Sequence, residues 1–182
     1  MSELYFITIS GLKEGHYLYD FEIGNEFFED FEESEIKEGN LSASIELDKR
    51  SSHFDLIFKI RGEVRICCDR CLEMFLHPIE CENRLLVKFG VKWDENDPDI
   101  ITVPADEHEL NIKQYLYEFI YLALPIQRIH PENENGESTC DPEMIKMLQQ
   151  HIVNEEKMND PRWDELKKLL NKNFLHSTSW TM

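Results

Sequence analysis

Between Leu41 and Cys68 apolar residues recur at almost every second position: Leu41, Ala43, Ile45 and Leu47, then Phe54, Leu56, Phe58 and Ile60 beyond the polar stretch Asp48-Lys49-Arg50-Ser51-Ser52. A period of two marks a strand with one buried face, and two such runs joined by a polar turn predict a hairpin. Gly62, Val64, Ile66 and Cys68 keep the same parity, which sets Cys68 on the apolar side and turns Cys67 the other way. Ile79, Cys81, Leu85, Val87 and Phe89 share a parity too, predicting a returning strand that starts at Pro78. Cys81 falls among these core positions and reads as a small buried hydrophobe rather than a ligand.

The flanks are less regular. Leu4 to Ile9 predicts a short strand, the glycines of Gly11 to Gly15 a turn, and Tyr17 to Ile23 a further extended segment. From Glu26 to Glu38 carboxylates interleave with Phe27, Phe28, Phe31 and Ile36, which suits a turn or two of helix lying on the surface and docked by its aromatics. Trp93 to Asp99 reads as an acidic loop and Ile100 to Val103 as a short strand closed by Pro104. The period then changes to 3.6: Ile112, Tyr115, Leu116, Phe119, Leu122 and Ala123 predict a helix, opened by a capping box at Asn111 and Gln114 and stopped by Pro125. A loop runs to Cys140. Asp141-Pro142 and Asp160-Pro161 each pair a capping aspartate with a proline suited to the first helical position, and predict two more helices, the last carrying Trp163, Leu166, Leu169 and Leu170. The fold expected is α+β: an antiparallel β-sheet or partly open barrel covered by a helix, with C-terminal helices. Residues 1–150 form one such domain with a cysteine knuckle at 68–71, and 151–182 a linker, helix and tail.

Composition changes this picture mainly through charge. The chain of 182 residues has a net charge of -18 and no basic leader before an apolar run, and its longest apolar run, Phe119 to Leu124, is too short to cross a bilayer; a cytoplasmic protein is expected. Residues 1–60 carry 14 acidic and 5 basic side chains and residues 93–140 carry 11 and 2, each a net of -9, whereas residues 61–92 carry 5 and 6. This near-neutral strip, with Arg61, Arg65, Arg70, Arg84 and Lys88, is the expected place for any acidic partner. A sequence-independent grip on phosphates is not expected of the rest.

Chemistry concentrates in Cys68-Asp69-Arg70-Cys71. Two thiols separated by two residues form half of a tetrahedral metal site or a redox couple. With His130 and Cys140 they complete a set of three sulfurs and an imidazole suited to Zn²⁺, leaving no position for water; such a site is structural. The halves stand nearly sixty residues apart, so spacing alone leaves three readings open: metal, reduced thiols or redox chemistry. The last lacks the usual βαβ setting. No His-Glu-x-x-His and no phosphate-cradling loop occur, and seven glycines leave little material for one.

Gly62-Glu63-Val64, Cys68-Asp69-Arg70-Cys71-Leu72, Leu122-Ala123-Leu124-Pro125 with His130 and Cys140, and Asp160-Pro161-Arg162-Trp163 with Leu166 together resemble the YceD family. The resemblance implies a non-enzymatic protein needed for accumulation of large-subunit ribosomal RNA, and it favours the metal reading, with structural zinc at Cys68, Cys71, His130 and Cys140. A thiol oxidoreductase or redox sensor using Cys68 and Cys71 is the competing function. From the charge map, a basic ribosomal protein or assembly factor of the large subunit is the expected partner rather than naked RNA.

Overall fold

The computed structural model describes residues 5–97 and 99–151. Eight strands and three helices follow in the order β1 (Phe6–Thr8), β2 (Gly15–Ile23), α1 (Asn25–Glu29), β3 (Glu38–Lys49), β4 (His53–Cys67), β5 (Met74–Gly90), β6 (Asp94–Asp97), β7 (Ile100–Pro104), β8 (Glu109–Asn111), α2 (Lys113–Leu122) and α3 (Pro142–His151). The chain divides into two compact units, Met1–Ile145 and Lys146–Met182. The linker, last helix and tail expected beyond His151 lie outside the described residues.

Six strands form one open sheet in the order β2-β3-β4-β5-β7-β6, and β1 pairs with β8 apart from it. The fold is thus α+β with an unclosed sheet. Alternation dictates the central hairpin: Leu41, Ala43, Ile45 and Leu47 of β3 and Phe54, Leu56, Phe58, Ile60, Val64 and Ile66 of β4 are all buried, and the register pairs Ile45 with Phe58. Helix α2 lies on this buried face, with the Phe119 ring 5.1 Å from that of Phe58.

Several local expectations are corrected. The strand expected from Pro78 begins at Met74, so Pro78 lies inside it. Pro78 pairs with Glu63 of β4, while β7 meets β5 only from Leu86 onward, so among the described residues the other edge of β5 has no ladder partner at the proline. The acidic loop at Trp93 to Asp99 contains β6, an edge strand antiparallel to β7. A short edge strand tolerates such charges because it has one neighbour only. Strand β7 runs parallel to β5, since the chain turns back as β6 on the outside and returns into the gap. The aromatic segment after β2 does hold one short helix docked by its aromatics, α1, whose Phe27 and Phe28 reach the core together with Ile36 beyond it. Asn111 accepts the Lys113 N–H at 2.9 Å, but Gln114 turns forward to Glu118 at 2.8 Å, so the reciprocal half of the capping box is not formed. Asp141 caps α3 as expected, accepting the Glu143 N–H at 2.9 Å.

Candidate metal centre

Strand β4 delivers Cys68 to the buried side at its end, where it is 0% exposed, and Cys71 follows after a tight turn, 3% exposed. The turn is closed by the Leu72 N–H donating to the Cys68 carbonyl and the Cys68 N–H donating to that of Glu73, each at 2.9 Å. Leu72 takes a φ of 61°, which bends the chain into β5 at a steric cost for a side chain with a Cβ. From the far side come His130, half-buried with its ring centroid 4.5 Å from that of Phe75, and buried Cys140. The intervening loop is ordered by Asn133: its Oδ1 accepts the N–H groups of Asn135 (3.0 Å) and Glu137 (2.9 Å), and Glu132 bridges Ser138.

One ligand atom from each of Cys68, Cys71, His130 and Cys140 lies within 4.8 Å of the other three. Cys68 Sγ stands 3.7 Å from Cys140 Sγ, and Cys71 Sγ stands 3.4 Å from His130 Nδ1. With metal bonds of about 2.0 to 2.3 Å, the edges of a tetrahedron are about 3.3 to 3.8 Å, so these contacts fit a zinc-sized ion. The surroundings favour thiolate at one sulfur. Burial raises the Cys68 pKa, but hydrogen bonds from the backbones of Cys71, Arg70 and His130 and from the His130 ring outweigh it and bring the thiol down to about 6. Burial pushes Cys71 up, with the Cys68 and Cys140 sulfurs acting the same way against hydrogen bonds from the Glu73 and Asp141 backbones.

Sequence reasoning missed the latch that brings the halves together. The Asp69 N–H donates to the Arg128 carbonyl and the Arg128 N–H returns to Asp69 Oδ2, both at 2.7 Å. The Arg128 guanidinium is paired with Glu35, which also accepts the Tyr121 hydroxyl at 3.1 Å. A lone Arg in a loop carries no pattern that reveals such a partner. The other two thiols stand apart. Cys67 is exposed with its Sγ 3.4 Å from the Leu72 carbonyl, and half-buried Cys81 sits 3.8 Å from that of Phe119.

The arginines and lysine of the near-neutral strip do not form a free cationic track. Arg84 holds Asp55 through two hydrogen bonds of 2.6 and 2.5 Å, Arg61 pairs with Glu80 at 3.0 Å and Arg65 with Glu38 at 3.1 Å. Arg70 and Lys88 have no ion-pair partner among the described residues. No helix among the described residues is long and apolar enough to cross a membrane.

A family model described as "Large ribosomal RNA subunit accumulation protein YceD" matches residues 56–170, a span that includes all four clustered ligands. No curated protein and no solved structure matches the chain.

Proposed function

Because the chain belongs to the YceD family, we propose that it acts as a non-enzymatic accessory factor in large-subunit ribosomal RNA accumulation and ribosome assembly, built around a structural zinc site. The observation that supports zinc is the convergence of three sulfurs and one imidazole within 4.8 Å, residues separated by as many as 72 positions. Four protein ligands fill a tetrahedral shell, so an ion there has no coordination position for a substrate and contributes folding free energy instead. Cys68, Cys71, Cys140 and His130 would hold it; when bound, it cross-links the β4–β5 knuckle to the loop that precedes α3.

The direct partner we propose is a basic protein of the large subunit rather than naked RNA. Net charge of -18 repels phosphate and steers a basic protein, and the pairing of Arg61, Arg65 and Arg84 with carboxylates leaves little of the strip to neutralise an RNA backbone. The experiment is capture of the tagged protein from cells at moderate salt, followed by pull-downs with purified large-subunit proteins and gel shifts with ribosomal RNA fragments. Tight RNA binding without affinity for any basic large-subunit protein would defeat the partner assignment.

A redox role for Cys68 and Cys71 draws on one observation, the lowered Cys68 thiol. Against it stand the burial of both sulfurs and the completed ligand set. Metal analysis of freshly purified protein beside a free-thiol count separates the two. Stoichiometric zinc with protected thiols supports the structural site, and metal-free reactive thiols support redox chemistry.

A further inference from the structure

The six-stranded sheet has a second face that no helix or strand among the described residues covers. It is built from the polar parity of β2 to β5, and the register lines its residues up in rows across the strands: Leu18, Glu46, Ile57 and Arg84 in one, Asp20, Ser44, Lys59 and Glu82 in the next. Two successive hollows, of about 930 and about 500 Å³, follow this face along the strands. Leu18 stands 62% exposed beside the smaller one, with half-buried Ile57 in its lining.

We infer that this uncovered sheet face docks a lysine- and arginine-rich protein segment with an apolar residue seated at Leu18 and Ile57. Charge complementarity selects the occupant. Lys59 and Arg61, which line the larger hollow, and Arg84, which stands beside Ile57 on the same face, are each paired with a carboxylate of that face, at 2.5, 3.0 and 2.5 Å. Asp20, Glu22 and Glu82 have no cation within ion-pairing distance among the described residues and line the larger hollow. The charge left over in the larger hollow is therefore negative, and Arg61 and Arg84, which the sequence places in the strip, brace carboxylates of this face. Side chains two positions apart on one strand are about 7 Å apart on the same face, so apolar Leu18 and anionic Asp20 fall within reach of one short segment. An RNA strand would bring phosphates against Asp20, Glu22 and Glu82, and a second copy of this chain would bring the same carboxylates against themselves; both are disfavoured.

This inference rests on the reading of a basic protein partner and narrows it to one surface. The test uses full-length protein and two fluorescein-labelled peptides, one of lysine and leucine and one of lysine alone, read by anisotropy. The combined variant Asp20→Asn, Glu22→Gln, Glu82→Gln is expected to weaken both peptides about tenfold at moderate salt, with melting temperature unchanged because all three side chains are exposed. Leu18→Ser should weaken the lysine–leucine peptide only. A control of equal charge, Glu29→Gln, Glu33→Gln, Glu109→Gln, should leave binding within about twofold, since its positions are off this face. Equal weakening by both sets would reduce the effect to net charge and overturn the docking surface. So would an RNA oligomer that binds the face in preference, or a dimer in sedimentation that the face variant abolishes. If large-subunit proteins are still captured by the face variant, the surface is wrong and the partner class stands; if the peptides bind this face and no large-subunit protein is captured, the partner class fails instead.

Discussion

Leu72 and Gly62 show how much two backbone positions decide. Leu72 keeps a φ of 61° with a side chain 66% exposed, so replacing it with glycine removes a steric cost and little packing. Leu72→Gly is expected to raise stability by about 0.5 to 1 kcal/mol in urea melts; a loss instead would show that the leucine has a contact in solution. Gly62 is the opposite case. At φ +149° a Cβ there would stand 2.3 Å from the Asn40 carbonyl oxygen and 2.5 Å from Leu41 Cα, both backbone atoms that cannot move aside. Gly62→Ala should destabilise by about 3 kcal/mol or more, measurable in the same melts. Of the five cysteines, Cys81→Ala should leave metal content unchanged, whereas Cys68→Ser should lower both metal content and melting temperature. Parity in the sequence assigned Cys68 to the buried side. Parity names no partner; His130 and Cys140 were legible through ligand chemistry and the family resemblance instead.

Among the elements, the knuckle and the loop bearing His130 meet through the Asp69–Arg128 pair, two reciprocal hydrogen bonds made by groups other than the four ligand atoms. Asp69→Ala removes the acceptor for the Arg128 N–H, and metal affinity is expected to fall about tenfold through misplacement of His130. Competition with a chromophoric chelator reads this, and an unchanged affinity would show that His130 is held by Phe75 alone. Between β4 and β5 the Arg84–Asp55 pair has a pH signature. The Arg84 hydrogen bonds lower the Asp55 carboxyl below its usual range against the effect of burial, so its stabilising contribution is complete above the unfolded value of 3.8 and is lost as pH falls through the lower folded value. Arg84→Met should therefore lose stability at neutral pH and show a shallower decline across the acid range; parallel curves for the two proteins would mean the pair is screened out by solvent. Local signals made β3, β4 and the cap of α3 legible, because alternation and an Asp-Pro start act within a few residues. Strand β6 escaped notice, since nothing in Asp94 to Asp97 favours a strand except the edge of β7 that it covers.

For the whole molecule, metal removal is the decisive perturbation of the proposed zinc site. A chelator should lower the melting temperature and expose the Asp69, Arg70 and Cys71 amides to hydrogen exchange, while Leu56, Phe58 and Ile60 in the sheet keep their protection. Uniform loss of protection would instead mean that the sheet depends on the ion. The acidic balance, the central hairpin, the amphipathic α2 and the four residues of the cluster were all readable along the chain, because composition, periodicity and ligand chemistry are properties of the residues themselves. Tertiary structure alone decided three things: the parallel return of β7 beside β5, the latch between Asp69 and Arg128, and the capture of Arg61, Arg65 and Arg84 by carboxylates on neighbouring strands. Each is a pairing between segments distant in sequence, set by strand register and by which faces must be buried, and a charge or a backbone amide carries no mark of the partner that the fold will bring to it.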